Sequence, residues 1–163
     1  MTKIVNWGLS ITEGTKVYTS QFLITRDYSI AYYEMAPKLN YQPTTAFRFS
    51  LVYTYSLKNN LPQYGEQQAV LNNYGVEVKY NILQKGSLNV KVNYIQIQYN
   101  GEQNTSLSYE MLNALQTGEN YTWGLAYQRN LSNNMQLSFT YDGHKSPTSK
   151  VVNTGGAQVR AYF

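Results

Sequence analysis

The feature that most constrains the fold is a period-two alternation of apolar and polar residues in the last third of the chain, residues 119–163. Successive side chains of a β-strand point to opposite faces of its sheet, so this pattern predicts strands with one apolar and one polar face. The stretch 151–163 keeps the same parity up to the terminal Phe163. The apolar positions are Tyr121, Trp123, Leu125, Tyr127, Met135, Leu137, Phe139 and Tyr141, and the alternate positions are Thr122, Gly124, Ala126, Gln128, Gln136, Ser138, Thr140 and Asp142.

The composition indicates where such a sheet would be found. Only 13% of the residues are charged, whereas 15% are aromatic, including 17 tyrosines. A charged fraction about half the usual value is too low for the surface of a soluble globule. The mean hydropathy of -0.47 is nevertheless negative, and no run approaches the ~18 apolar residues of a membrane helix. These properties are compatible when apolar and polar residues alternate along the strands of an outer-membrane barrel.

The end of the chain resembles a known group of proteins. The run Gly155–Phe163, preceded by Tyr141–Pro147, is similar to the C-terminal region of large outer-membrane β-barrel proteins of the Bacteroidota. The resemblance implies a location in the bacterial outer membrane, with membrane lipid as a partner. It also implies a contact with the barrel-assembly machinery during biogenesis. The C-terminal signal for that machinery would consist of Val159, Ala161 and Phe163.

The alternation along the whole chain predicts a single all-β domain spanning residues 1–163. We expect an antiparallel up-and-down transmembrane β-barrel of about eight strands, with short periplasmic turns and longer extracellular loops. The short turns are expected at 42–44, 84–86 and 132–134, and the longer loops at 59–69, 101–118 and 146–150. The pattern contains about nine strand-like segments, whereas bacterial barrels have even numbers of strands. Either 3–13 or 16–25 then lies outside the wall of a closed eight-stranded barrel, which we favour, or the chain is the C-terminal part of a larger barrel.

Four local expectations follow from individual residues. Gly14 is expected to form a hairpin turn with Glu13 and Thr15. Pro37 cannot donate a ladder hydrogen bond, so a bulge or a local edge is expected there. The parity of apolar residues changes at Tyr94-Ile95, where a β-bulge would restore the alternation. In the loop 101–118, Thr105 or Ser106 is expected to cap a short helix that carries Leu107, Met111 and Leu115 and ends at Gly118.

The polar face supplies the main candidate site. In a closed eight-stranded barrel its charged residues would form a buried network, and in a wider barrel they would line a water-filled pore. The apolar face supplies four candidate aromatic anchors at the membrane interface, Trp7, Tyr121, Trp123 and Tyr141. The lumen-facing set comprises Lys38, Arg48, Lys58, Glu77, Lys79, Lys91 and Arg160.

Catalysis and cofactor binding find little support. His144 is the only histidine, and a rim hydrolase built from Asp142, His144 and Ser146 rests on spacing alone. With one histidine and no cysteine, only scattered carboxylates remain as metal ligands, so we expect neither a metal site nor a cofactor. The net charge is +4, and the basic residues are scattered singly rather than clustered, which argues against nucleic-acid binding. The expected function is a non-catalytic barrel or small passive pore of unknown oligomeric state. The alternative is a soluble β-barrel that binds a small apolar ligand.

Overall fold

The structure, a computed structural model, describes residues 4–20, 27–82 and 85–162. Within these residues the chain forms eight strands and one short helix, α1 (Ser106–Met111), which lies between the fifth and sixth strands. The strands are β1 (Val5–Tyr18), β2 (Tyr28–Tyr41), β3 (Phe47–Asn60), β4 (Gln68–Ile82), β5 (Gly86–Tyr99), β6 (Gly118–Ser132), β7 (Met135–Lys145) and β8 (Val152–Ala161).

The strands form one antiparallel sheet in which each strand pairs with the next along the chain, in the order β1 to β8. The strand ends joined by short connections, between β2 and β3, β4 and β5, and β6 and β7, lie at one end of the sheet. Those joined by longer connections, between β1 and β2, β3 and β4, β5 and β6, and β7 and β8, lie at the other. We call these the short-turn end and the long-loop end. The predicted up-and-down topology and the alternation of connection lengths are confirmed.

The predicted closure into an eight-stranded barrel is wrong. The sheet is open, because among the described residues no hydrogen-bonded ladder joins β1 to β8. Both edge strands are exposed almost throughout: every residue of β8 is exposed, and in β1 every residue except the half-buried Gly14. Closure requires the two ends of the sheet to meet, and alternation within a strand carries no information about that long-range contact.

The sheet is staggered as well as open. When directly opposite residues are followed across all eight strands, Val5 at the start of β1 falls in the same row as Gly155 of β8. Gly155 lies six residues before Ala161, the last residue of β8. The short-turn end therefore descends by six residues over seven steps, slightly less than one residue per strand. With ~3.3 Å per residue and ~4.8 Å between strands, this stagger corresponds to a strand tilt of about 30°.

Three local expectations are corrected by the strand pairing. The segments 3–13 and 16–25 are not separate strands, because β1 runs without a turn through Gly14, which lies opposite Tyr32. Phe22 and Ile24, expected to be apolar positions of a weak strand, lie outside the described residues. Pro37 causes no register shift: it pairs with Leu9, and only the β2–β3 ladder has a gap there. The predicted bulge at Tyr94-Ile95 is also absent, because the β4–β5 register is continuous.

The helix α1 is shorter than predicted. Thr105 caps its N-terminus through a capping box with Ser108, as the sequence suggested. The helix ends at Met111 rather than at Gly118, because Asn113 and Ala114 adopt positive φ angles of 54° and 61°. Left-handed backbone of this kind cannot continue a right-handed helix.

Candidate functional site: a sheet whose faces exchange character

The two faces of the sheet are defined by the strand register. Directly opposite residues on neighbouring strands share a face, so the pairing extends the faces across all eight strands. We call the face that carries Phe49, Val76, Val92 and Leu125 the apolar face, and the opposite one the polar face. Toward the short-turn end the apolar face bears large side chains that no described part of the chain covers. Its exposed members include Trp7, Leu9, Ile11, Leu39, Tyr41, Leu51, Tyr74, Val76, Tyr80, Val92, Tyr121, Phe139, Tyr141 and Val159.

A row of four tyrosines crosses the apolar face at mid-height. Tyr53, Tyr74, Tyr94 and Tyr121 lie directly opposite one another on β3 to β6. The centroids of neighbouring rings are 5.0, 6.1 and 5.2 Å apart, within the range of favourable aromatic contacts. We call these four residues the tyrosine row. Of the four, only Tyr121 was singled out from the sequence.

On β4 to β6 the two faces exchange character at the tyrosine row. Beyond it, toward the long-loop end, the apolar face continues on β4 to β6 with Asn72, Gln96 and Glu119. On the polar face of the same strands, Leu71, Ile95 and Ile97 are buried, with 4, 8 and 1% of their surface exposed. The change of parity at Tyr94-Ile95 is therefore a real exchange of faces, not a bulge.

The buried apolar residues beyond the row form a small core under α1. Met111 and Leu112 are 0 and 3% exposed, and Leu107 and Leu115 pack against the same cluster. The i, i+4, i+8 residues of the loop thus find an apolar partner on the polar face of the sheet. The strand residues of this core are Tyr28, Ile30, Ala69, Leu71, Ile95 and Ile97.

Two lysines of the polar face hold the loop in place. Lys16 of β1 forms an ion pair with the carboxylate of Glu110. Lys58 of β3 donates hydrogen bonds to the backbone carbonyl of Glu110, at 3.2 Å, and to the side chain of Asn113, at 2.6 Å. The side chain of Asn120, which is fully buried, donates to the carbonyls of Gln116 and Gly118 at the end of the loop. The segment 100–117 is therefore fastened to three strands.

The register places all seven charged residues of the predicted lumen-facing set on the polar face. One ion pair joins members of the set, between Lys79 and Glu77 at 3.0 Å. Arg48 donates to the side chain of Gln42 at 3.0 Å, and Lys58 bonds to the loop as described. Lys38, Lys91 and Arg160 are exposed and form no ion pair among the described residues. The seven residues are Lys38, Arg48, Lys58, Glu77, Lys79, Lys91 and Arg160.

The four predicted aromatic anchors lie on the apolar face. Trp7 is 80% exposed on the edge strand β1, and Tyr121 and Tyr141 are 40 and 38% exposed. Trp123 lies between the tyrosine row and the short-turn end, with its indole ring across Gly143 on the neighbouring strand. Their role at a membrane interface stays a prediction.

The contact between Trp123 and Gly143 can be tested by adding one methyl group. A Cβ at position 143 would lie 2.3 Å from the Trp123 ring, whereas one at Gly155 would have its nearest neighbours at 3.7 and 3.8 Å. We expect Gly143→Ala to lower the free energy of unfolding by about 1–3 kcal/mol, because the ring must move. Gly155→Ala, on the same face of β8, is the control and should have a much smaller effect in the same urea titration. Equal effects of the two substitutions would contradict the packing of Trp123.

The C-terminal signal lies on the apolar face of β8, where Val159 pairs with Leu137 and Ala161 with Met135. Phe163 lies outside the described residues.

The hydrolase constellation is not assembled as a hydrogen-bonded triad. Asp142 and His144 share the polar face of β7, opposite Gly124 and Thr122. Ser146 follows the end of β7, is 5% exposed, and accepts no hydrogen bond from His144 in the described part of the chain.

The described residues contain no group of three or more histidine, cysteine, aspartate or glutamate side chains that could hold a metal ion. No helix among them is long and apolar enough to cross a membrane. No protein-family model matches the chain, and comparisons with curated proteins and with solved structures give no significant match.

Proposed function

We propose that the chain is a non-catalytic integral protein of the bacterial outer membrane, and that its eight strands form part of the wall of a β-barrel with more than eight strands. The apolar face would contact lipid and the polar face would line the interior. The short-turn end would face the periplasm, as is usual for outer-membrane barrels.

The exchange of faces at the tyrosine row is the observation that carries this proposal. A lipid-facing surface must be apolar only over the height of the hydrocarbon core, and aromatic side chains mark its boundary. On one side of the row the exposed face is apolar and the opposite face polar, as a wall between lipid and water requires. On the other side, β4 to β6 present polar residues on that face, and the opposite face of the sheet carries a small buried core, as in a protein surrounded by water. A sheet in a uniform solvent has no reason for such an exchange.

The dimensions agree with this assignment. The strands are 10 to 15 residues long, whereas ~9–11 tilted residues cross a bilayer. The longer strands therefore extend beyond the membrane, where the core under α1 lies. The stagger corresponds to a tilt of about 30°, close to the ~35–45° of transmembrane barrels.

The open sheet argues for a wider barrel. In hydrocarbon every unpaired backbone N–H or C=O group costs several kcal/mol, so β1 and β8 must both acquire neighbours. Barrels wider than eight strands enclose water rather than a packed interior. The exposed Lys38, Lys91 and Arg160 would then be solvated in a passive pore.

Refolding in two solvents tests the proposal. The full chain, denatured in urea, is diluted into plain buffer and into detergent micelles or phospholipid vesicles. We expect β-type circular dichroism only with detergent or lipid, and a band on gels whose mobility changes on boiling. A folded, monodisperse protein in plain buffer would overturn the proposal and favour a soluble β-protein that binds an apolar ligand.

A further inference from the structure

The two edge strands of the sheet are the strongest unexplained feature of the molecule. From their geometry we propose that β8 of one copy pairs with β1 of a second copy, so that two copies close into a sixteen-stranded barrel. The inference rests on the proposed function, because open edges are intolerable only in lipid. It adds the partner that supplies the missing strands.

The direction of the edge strands permits this pairing. Eight antiparallel strands form an even number, so β8 runs opposite to β1. A second copy placed beside β8 can therefore continue the antiparallel sheet with all its short turns at the same end. Two such junctions close the ring, and sixteen strands are the size at which barrels hold an aqueous channel.

The stagger and the parity of the faces together determine the register. Because the short-turn end descends by about one residue per strand, Val5 of the second copy should lie opposite Ala161 or the residue after it. Val5 and Ala161 both belong to the apolar face, whereas Tyr162 does not. The register that keeps the faces aligned therefore pairs Val5 with Ala161. With the register shifted by one residue, the apolar residues of β1 would face the interior of the barrel.

The side chains brought together in this register are complementary in size. On the apolar face, the bulky residues of β1 meet smaller ones of β8: Trp7 with Val159, Leu9 with Ala157, and Ile11 with Gly155. These bulky residues are 80, 52 and 58% exposed in the single chain. On the polar face, Gly8 meets Gln158 and Ser10 meets Gly156.

A disulfide between the edges tests the pairing directly. The chain has no cysteine, so every disulfide comes from introduced residues. Gly8→Cys is suitable because a Cβ there has nothing within 4 Å, and Gln158→Cys is on an exposed position. In this experiment the two substitutions are placed on separate chains of different tag length, which are refolded together in phospholipid vesicles and oxidised. We expect a mixed disulfide between the two chains as the main product.

A second pair of cysteine variants serves as the control for the register. Thr154→Cys lies on the same face of β8 but four residues from position 158, about 13 Å along the strand. Mixed with the Gly8→Cys chain, it should give at least about tenfold less mixed disulfide. Equal yields from positions 154 and 158 would reflect random collision and would overturn the proposed register.

The other possible partners give different products. With both substitutions on one chain, an internal disulfide would show that β1 and β8 of the same copy meet, and it would overturn the inference. A disulfide between two Gly8→Cys chains as the main product would indicate β1–β1 pairing and would also overturn it. The absence of any disulfide in chains that are folded in lipid would mean that other polypeptide segments cover the edges. In all three outcomes folding in lipid still supports the membrane location, although the internal disulfide would replace the wider barrel by a closed eight-stranded one; folding in plain buffer removes the proposed function.

Discussion

Replacing Ile97 by alanine should lower the free energy of unfolding by about 2–5 kcal/mol, although the residue lies outside the proposed membrane band. Ile97 is 1% exposed and packs in the core under α1 with Met111, which is fully buried. Truncation of such a residue removes its burial energy and leaves a cavity that the neighbours fill only in part. The measurement is urea unfolding in phospholipid vesicles, followed by the fluorescence of Trp7 and Trp123.

The neighbouring position provides the control. Gln98 is exposed and lies on the opposite face of the same strand. Gln98→Ala should therefore change the free energy of unfolding by no more than about 0.5 kcal/mol. If the strand contained a bulge at Tyr94-Ile95, Ile97 would lie on the outer face beyond the tyrosine row and its truncation would be tolerated. A small effect of Ile97→Ala would thus contradict both the core under α1 and the exchange of faces.

The properties that the sequence predicts well are local ones. Alternation with period two is a property of a single strand, and it assigns Lys38, Arg48 and Arg160 to the polar face without knowledge of the neighbouring strands. The short turns are also predicted locally, from the polar residues between two alternating runs. The up-and-down topology is then the simplest connection of such strands, and the structure has it.

Two errors of the sequence interpretation have a common physical origin, because one local pattern is compatible with two tertiary causes. Gly14 indicates a turn, but in the structure it lies under the ring of Tyr32, whose hydroxyl oxygen would be 2.6 Å from a Cβ at that position. The change of parity at Ile95 is equally compatible with a bulge or with an exchange of faces. The apolar spacing of Leu107, Met111 and Leu115 in the following loop could have decided the second case, because an amphipathic helix needs an apolar surface to cover.

The open edge could not be predicted from alternation, because it depends on contacts between the first and last strands. The residues at the two ends have strand-like patterns whether their neighbour belongs to the same chain or to another one. The tyrosine row was missed for a related reason. Tyr53, Tyr74 and Tyr94 are far apart in sequence, and only the register shows that they lie side by side with Tyr121.

A lysine on the apolar face should be strongly destabilising in lipid. Phe139 of β7 lies opposite Tyr127 and Ala157 on that face and is 42% exposed. If the proposed function is correct, Phe139→Lys places a charged group in the hydrocarbon band, at a cost of about 2–4 kcal/mol near the middle of the bilayer. The expected result is a loss of this size in urea unfolding from phospholipid vesicles, or a failure to insert.

A substitution at the adjacent residue shows whether the loss at Phe139 comes from contact with lipid or from a general intolerance of charge in this strand. Thr140 is also exposed, but it lies on the polar face, between Ala126 and Gly156. Thr140→Lys adds the same charge to the same strand and should cost about 1 kcal/mol or less, because the ammonium group stays in water. In a sheet surrounded by water on both sides, lysine would be accepted equally at both exposed positions. Similar losses at 139 and 140 would therefore contradict the membrane assignment, whereas a difference of 2 kcal/mol or more is what a lipid-facing and a water-facing surface on one strand require.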